Sequence, residues 1–419
     1  MSDTAAVADE AAPAPADSGQ SQIRVVLTAV FVLVLAQMTL NPVIAPLARA
    51  VNLAEWQVGL VISVAAISLV VGSRWWAGRS QVWGRKPVLL AAIAAGIVAM
   101  TAFALTAWWG MLGLIGATAL FVLWLLLRGV LFGGAIAAVV PTAQAFIADV
   151  TETEAARVKG MAGIGAAQGL AMVAGAVMGG LLGGIGILVP LIAVPILMTA
   201  ALVLVARRMR RQAPHELAAT PRTVRARDPR VLPFLFAGFG MYTALGFIQV
   251  LTGFIVTDRF SLAPEPATLL TGLALLGAGA GMVLAQAVVV PRTGWPPNRL
   301  LQVGCGIALV GFVGMLPEWP LPVLIGAIAL IGLGLGIAQP GYTAGPSLKL
   351  DPDEQPALAG LIGATNGLTF VVTPTLATVL YGFSRPAPLV ASAVTMALVL
   401  GFVLLNPTIN ASRQAAPPA

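Results

Sequence analysis

The chain has 419 residues, 58% of them hydrophobic and 9% charged, whereas soluble domains carry roughly 25% charged residues. With a mean hydropathy of +0.94 and a net charge of +7, it cannot coat a soluble surface and reads as a polytopic membrane protein. One cysteine (Cys305) and one histidine (His215) exclude a disulfide framework and a His-pair zinc site, so no metal and no cofactor are expected.

In chain order, residues 1–22 are rich in Ala, Pro and Asp without a basic residue, which predicts a disordered tail that is retained, since a signal peptide needs a positive start. Apolar runs near 25–47, 56–76, 87–107, 119–147, 159–184 and 186–206 predict six spans within 23–206, each near the ~20 residues that cross a bilayer. Residues 207–230 form a basic linker, read as a solvated connection with no nucleic-acid role. Six further runs, near 231–256, 267–290, 299–316, 321–345, 356–382 and 387–406, lie within 231–410, and 411–419 form a polar tail. The turn is least marked at 107–120, where Trp108 and Trp109 suit either the membrane interface or helix packing.

With both termini cytoplasmic, nineteen Lys and Arg fall inside and three outside, at Arg49, Arg259 and Arg385. The positive-inside rule therefore predicts a multi-pass protein of the plasma or inner membrane with both ends in the cytoplasm.

The halves repeat. Pro141-Thr-Ala-Gln-Ala145 recurs as Pro340-Gly-Tyr-Thr-Ala344, and Gly165-Ala-Ala-Gln-Gly-Leu170 as Gly363-Ala-Thr-Asn-Gly-Leu368. Two six-span repeats of the same topology predict an all-α membrane fold of twelve helices around a central cavity, an architecture that transporters use for alternating access.

Gly78-Arg-Ser-Gln-Val-Trp-Gly-Arg-Lys-Pro87, between the second and third spans, resembles the signature loop of the major facilitator superfamily. Arg79 opens the segment, and Gly84, Arg85 and Lys86 match the glycine turn and basic pair, but Gln81 stands at the acidic position and Val82 at a basic one. Arg128 followed by Gly133 and Gly134 is similar to the fourth-span signature, displaced by one residue. Gly175-Ala-Val-Met-Gly-Gly180 is similar to the fifth-span antiporter signature, with Gly175, Gly179 and Gly180 present and Ala176 in place of proline; Asn41-Pro-Val-Ile-Ala-Pro46 resembles the first-span proline pair. Taken in order, these segments resemble the twelve-span drug:proton antiporter branch. That resemblance implies a monomeric exporter of small amphiphilic organic compounds, drug-like or metabolite, that is not an enzyme and uses the proton gradient as its energy source, with the bilayer and a small organic substrate as its partners. It also implies a cytoplasmic gate in which Asp149 joins Arg85. Two alternatives stay open: a facilitator, uptake or export system for an organic anion or siderophore-like metabolite, and a membrane sensor or enzyme.

None of the sixteen acids falls in the middle of a span, although a carboxylate there would be the usual proton carrier. Arg128 is the only charge inside one, and burying a guanidinium costs at least ~2.5–3.5 kcal/mol, so it should face a cavity, find a partner or snorkel to headgroups. The polar cavity candidates are Gln37, Asn41, Gln144, Gln168, Tyr242, Gln249, Gln339, Tyr342 and Asn366; helix–helix hydrogen bonding is the competing reading of each. Asp258 and Arg259, closing the seventh span, are candidates for an outer gate pair or a point where protons enter.

Overall fold

The computed structural model describes residues 17–151, 154–210, 225–351 and 354–410; the predicted tails within 1–16 and 411–419 and the linker at 211–224 lie outside them. Every regular element among the described residues is a helix. Eleven helices are long and apolar enough to cross a membrane, and the segment in the predicted ninth place, Pro297–Gly314, is an 18-residue helix. It falls short of the others in apolarity because it opens on Pro297, Asn298 and Arg299.

We label the twelve segments α1 Gln20–Ala50, α2 Glu55–Ser80, α3 Arg85–Met111, α4 Ala117–Val150, α5 Lys159–Ile185, α6 Val189–Arg208, α7 Leu232–Phe260, α8 Pro264–Thr293, α9 Pro297–Gly314, α10 Leu321–Ser347, α11 Ala357–Phe383 and α12 Ala387–Leu405. Helical structure begins at Asp17, earlier than the expected edge of the tail. The reason is a clamp: the Gln22 side chain donates to the Arg208 carbonyl (3.0 Å) and accepts from the Arg210 N–H (2.8 Å), tying the start of α1 to the end of α6. The uncertain stretch near 107–120 resolves into a short turn after Met111, with Gly113 at φ 70°.

Three spans are interrupted. α1 breaks at Leu40 and restarts at Asn41 with Pro42 in its first turn, where a missing N–H leaves no hydrogen bond unmade. α4, 34 residues long, contains a π-helical stretch at Leu125–Phe132, and α8 contains one at Ala285–Val289.

The packing repeats between the halves. α1 lies on α5 and α6, α2 on α4, and α3 on α4 and α6; α7 lies on α11 and α12, α8 on α10, and α9 on α10 and α12. Small residues permit the approach, as membrane helices require. A Cβ on Gly133 would sit 2.6 Å from the Ala65 carbonyl, and one on Gly304 would sit 2.5 Å from the Ala338 nitrogen. The halves meet along α2–α11 and α5–α8, and they close at the end away from the termini. There a Cβ on Gly180 would stand 2.9 Å from Gly272 Cα, one on Gly59 would stand 2.5 Å from the Pro374 carbonyl, and Thr375 donates to the Ser63 hydroxyl at 2.8 Å. At the end bearing the termini, a Cβ on Gly165, Gly169, Gly360 or Gly363 would meet nothing within 4 Å. The two halves diverge there.

Candidate functional site: the cavity between the halves

A cavity of about 510 Å³ lies between the halves, lined by α1, α2, α4 and α5 from one and α7 and α11 from the other. Its wall is mostly Leu, Val, Ile, Ala, Met and Phe, including Met38, Leu69, Met172 and Phe370. Of the polar residues expected there, Gln37, Asn41, Arg128, Gln168 and Gln249 line it, and Ser73 joins them. The break in α1 places Asn41 at the wall, where its amide approaches Met38 Sδ at 3.4 Å.

Arg128 sits in the π-helical stretch of α4. A π turn holds an extra residue, which re-aims the side chains around it. Here Arg128 and Phe132, four positions apart, both face the cavity. The guanidinium stands 4.8 Å from the Phe132 ring centroid and is 9% exposed. No hydrogen bond or ion pair reaches it from any described residue, so of the three expectations for this side chain the structure realises the cavity-facing one.

The other expected cavity residues are elsewhere. Gln144 is exposed, outside the lining. Tyr342 is fully buried, fitted against Gly238 of α7, and its hydroxyl donates to Asn366 Oδ1 at 3.1 Å. The Tyr242 ring lies 6.0 Å from that of Tyr342, and Gln339 accepts a 3.0 Å hydrogen bond from the Gln286 amide. These C-terminal-half residues bond helix to helix, the competing reading of the sequence. The physical reason is the close approach at Gly238, which lets the Tyr342 ring pack directly against α7.

At the end bearing the termini, Gly84 at φ 86° turns the chain from α2 into α3. Arg85 Nε then donates to Asp149 Oδ2 at 3.0 Å, and its Nη1 donates to Ser80 Oγ at 2.6 Å. Lys86 covers the last carbonyls of the α6 region, at Ala206 and Met209, both 2.7 Å away. Arg79 lies between the Trp75 and Trp83 rings, 5.4 and 5.2 Å from their centroids, outside the ion-pair network. The side chain of Gln81 lies outside the described residues. A second cluster on the other half has no counterpart in the sequence expectations: Arg230 pairs with Asp228 (2.8 Å) and Glu354 (3.0 Å). Its hydrogen bonds hold both carboxyls below their ordinary range.

Gly175, Ala176, Gly179 and Gly180 seat α5 between two neighbours. A Cβ on Gly175 would meet that of Met38 at 2.5 Å, Gly179 faces the Thr39 carbonyl, and Gly180 and Ala176 abut Gly272 of α8.

At the closed end, Asp258 does not pair with Arg259. Neighbouring residues on a helix do not face each other, and Arg259 turns to the carbonyls of Met315 (3.1 Å) and Pro317 (3.2 Å). Asp258 instead takes Arg49 of the other half at 2.7 Å and the Tyr381 hydroxyl at 3.1 Å, while Arg49 also reaches Glu55 at 2.5 Å. Arg49 was legible only as an outer-loop charge; its place between the α1 proline pair and Glu55 was the available signal.

A central cavity between two six-helix bundles, sealed at one end and divergent at the other, defines a multi-pass membrane transporter. The chain belongs to the Major Facilitator Superfamily, whose family model matches residues 26–374. It is 30% identical over 319 residues to the class C tetracycline resistance protein of Escherichia coli, covering 73% of this chain and 75% of that protein. To the class G tetracycline resistance protein of Vibrio anguillarum it is 29% identical over 344 residues, covering 78% and 81%. Its fold matches a bacterial homolog of the human lysosomal transporter Spinster, inward-facing and unoccupied, with TM-score 0.70 at 12% identity, covering 95% and 98%. The human organic anion transporter MFSD10 (TETRAN) matches with TM-score 0.63 at 15% identity, covering 92% and 99%.

Proposed function

We propose that this transporter exports small amphiphilic organic compounds across the cytoplasmic membrane by alternating access, with both termini inside and the proton gradient as its energy source. The observation that carries the reading is the cavity of about 510 Å³, apolar with a few polar groups, which suits an amphiphile better than a sugar. The tetracycline resistance proteins among its relatives support export. With the termini inside, the described conformation is open to the cytoplasm. Substrate enters between the divergent halves, and transport requires the Arg49–Asp258 closure to part while the cytoplasmic ends approach. The Arg85–Asp149 pair braces the N-terminal half at that gate. Because no carboxylate is among the described residues that line the cavity, coupling to the gradient falls to the closed end, where Asp258 holds Arg49 across the two halves.

The test is a reconstitution. Proteoliposomes with an imposed pH gradient are expected to move tetracycline or a related amphiphile against its concentration gradient, with protons flowing the opposite way only when substrate is present. Flux that ignores both the pH gradient and the membrane potential would replace the exporter with a facilitator.

A further inference from the structure

We infer that the cavity is an anion site, built for an amphiphile carrying one negative group, a carboxylate or sulfonate, which docks on the Arg128 guanidinium while its apolar body lies along Leu69, Met172 and Phe370. This rests on the transporter reading of the same cavity and names the class of its substrate.

The first ground is the state of Arg128. It is more than nine-tenths buried, touches the cavity, and has no hydrogen-bond or ion-pair partner among the described residues. Its one cation–π contact among the described residues is the face of Phe132 at 4.8 Å. A guanidinium carries five N–H donors in a planar fork that fits a carboxylate or sulfonate with two parallel bonds. An aromatic face satisfies none of those donors.

The second ground is the rest of the lining. Among the described residues that line it, Arg128 is the only ionisable one, and neither Asp nor Glu is present. A cationic substrate would therefore enter a low-dielectric site holding one like charge and nothing to offset it, an arrangement that costs several kcal/mol. The polar groups that remain, the amides of Gln37, Asn41, Gln168 and Gln249, are neutral and can orient a substrate without selecting its charge.

The third ground is the spacing of Arg128 and Phe132, which lie four positions apart on one helix face and share the cavity wall, so an aromatic acid can meet the cation and the ring together.

The experiment is calorimetric binding to the full chain in lipid nanodiscs, using four probes of one shape: 1-naphthoate, 1-naphthalenesulfonate, neutral 1-naphthamide and cationic 1-naphthylmethylammonium. Both anions are expected to bind at least roughly tenfold more tightly than the amide, as charge-assisted hydrogen bonds shielded from water allow, with the ammonium weakest. Arg128→Gln is expected to bring the anion-to-amide ratio to about one, and Arg128→Lys, which keeps the charge but not the planar fork, to keep only part of it. The wild-type ratio stands even if a variant fails to fold. Equal or tighter binding of the amide or the ammonium to the wild type overturns the anion site, as does the failure of both anions to bind. Flux of all four probes in the same proteoliposomes separates the two readings: export without anion preference leaves a transporter with no anion site, whereas anion-selective binding without flux leaves the site and removes the exporter.

Discussion

Arg49 and Asp258 lie 2.7 Å apart, and theirs is the one ion pair between described residues that joins the N-terminal half to the C-terminal half. Tyr381 and Glu55 hold the two partners from either side. The pair sits where the halves are closed, so it must break each time the molecule opens in that direction. Partly exposed ion pairs contribute about 1 kcal/mol or less, enough to bias such an equilibrium without locking it.

Asp258→Asn is accordingly expected to raise the population opened at this end by roughly fivefold, the ratio that about 1 kcal/mol sets. Spin labels at Asn52 and Leu262, in a Cys305→Ser background, would read the change as a longer distance between the two ends. A distance distribution identical to the parent's would remove the pair from the gate.

Arg128 should be a cost to stability. Replacing it with Leu, of lower desolvation cost, is expected to stabilise the folded protein by about 1–3 kcal/mol, since a buried charge without a partner is unfavourable. Transport is expected to fall at least tenfold in the same variant. Thermal unfolding and flux measured side by side check it; a lower melting temperature would show that the guanidinium has a stabilising partner.

The α5–α8 seam is expected to tolerate no side chain at Gly180. A Cβ on Gly180 would stand 2.9 Å from Gly272 Cα, so Gly180→Val should force the helices apart and cost roughly 1–3 kcal/mol, as overpacking does. The spin-label pair at Asn52 and Leu262 should report wider separation here too. Gly363→Val, facing open space, should leave both stability and distance unchanged.

The Arg230 cluster predicts a pH dependence. Arg230 holds Asp228 and Glu354 below their ordinary range. A depressed carboxyl contributes stability that is complete above its unfolded pKa, about 4, and is lost as pH falls through the lowered folded value. Arg230→Gln should therefore melt below the parent at pH 7 and converge with it only as pH falls below the lowered folded values, where the carboxylates are protonated in both. Because these groups lie at the surface, the difference should be small and shrink with salt.

Membrane sidedness can be read directly. Cys305 is buried, so the unmodified chain should resist an impermeant maleimide. A cysteine at Gly363 should label only from the cytoplasmic face and one at Asn52 only from the outside; the reverse pattern would invert the topology.

What the amino-acid sequence determined by itself is the membrane class, the order of the helices and the internal repeat. These follow from hydropathy runs and from the spacing of Pro, Gly and charge, all of which are local along the chain. It also marked Arg128, because a lone cation in an apolar run is conspicuous before any folding. Tertiary structure decided the rest. Gln168 and Asn366 occupy matching places in the repeat, yet Gln168 lines the cavity while Asn366 accepts a bond from Tyr342; the outcome depends on the ring packed against Gly238. Asp258 has Arg259 beside it in sequence but pairs with Arg49, 209 positions away. A helix turns neighbouring side chains to different faces, and only the docking of one half on the other determines which charges meet.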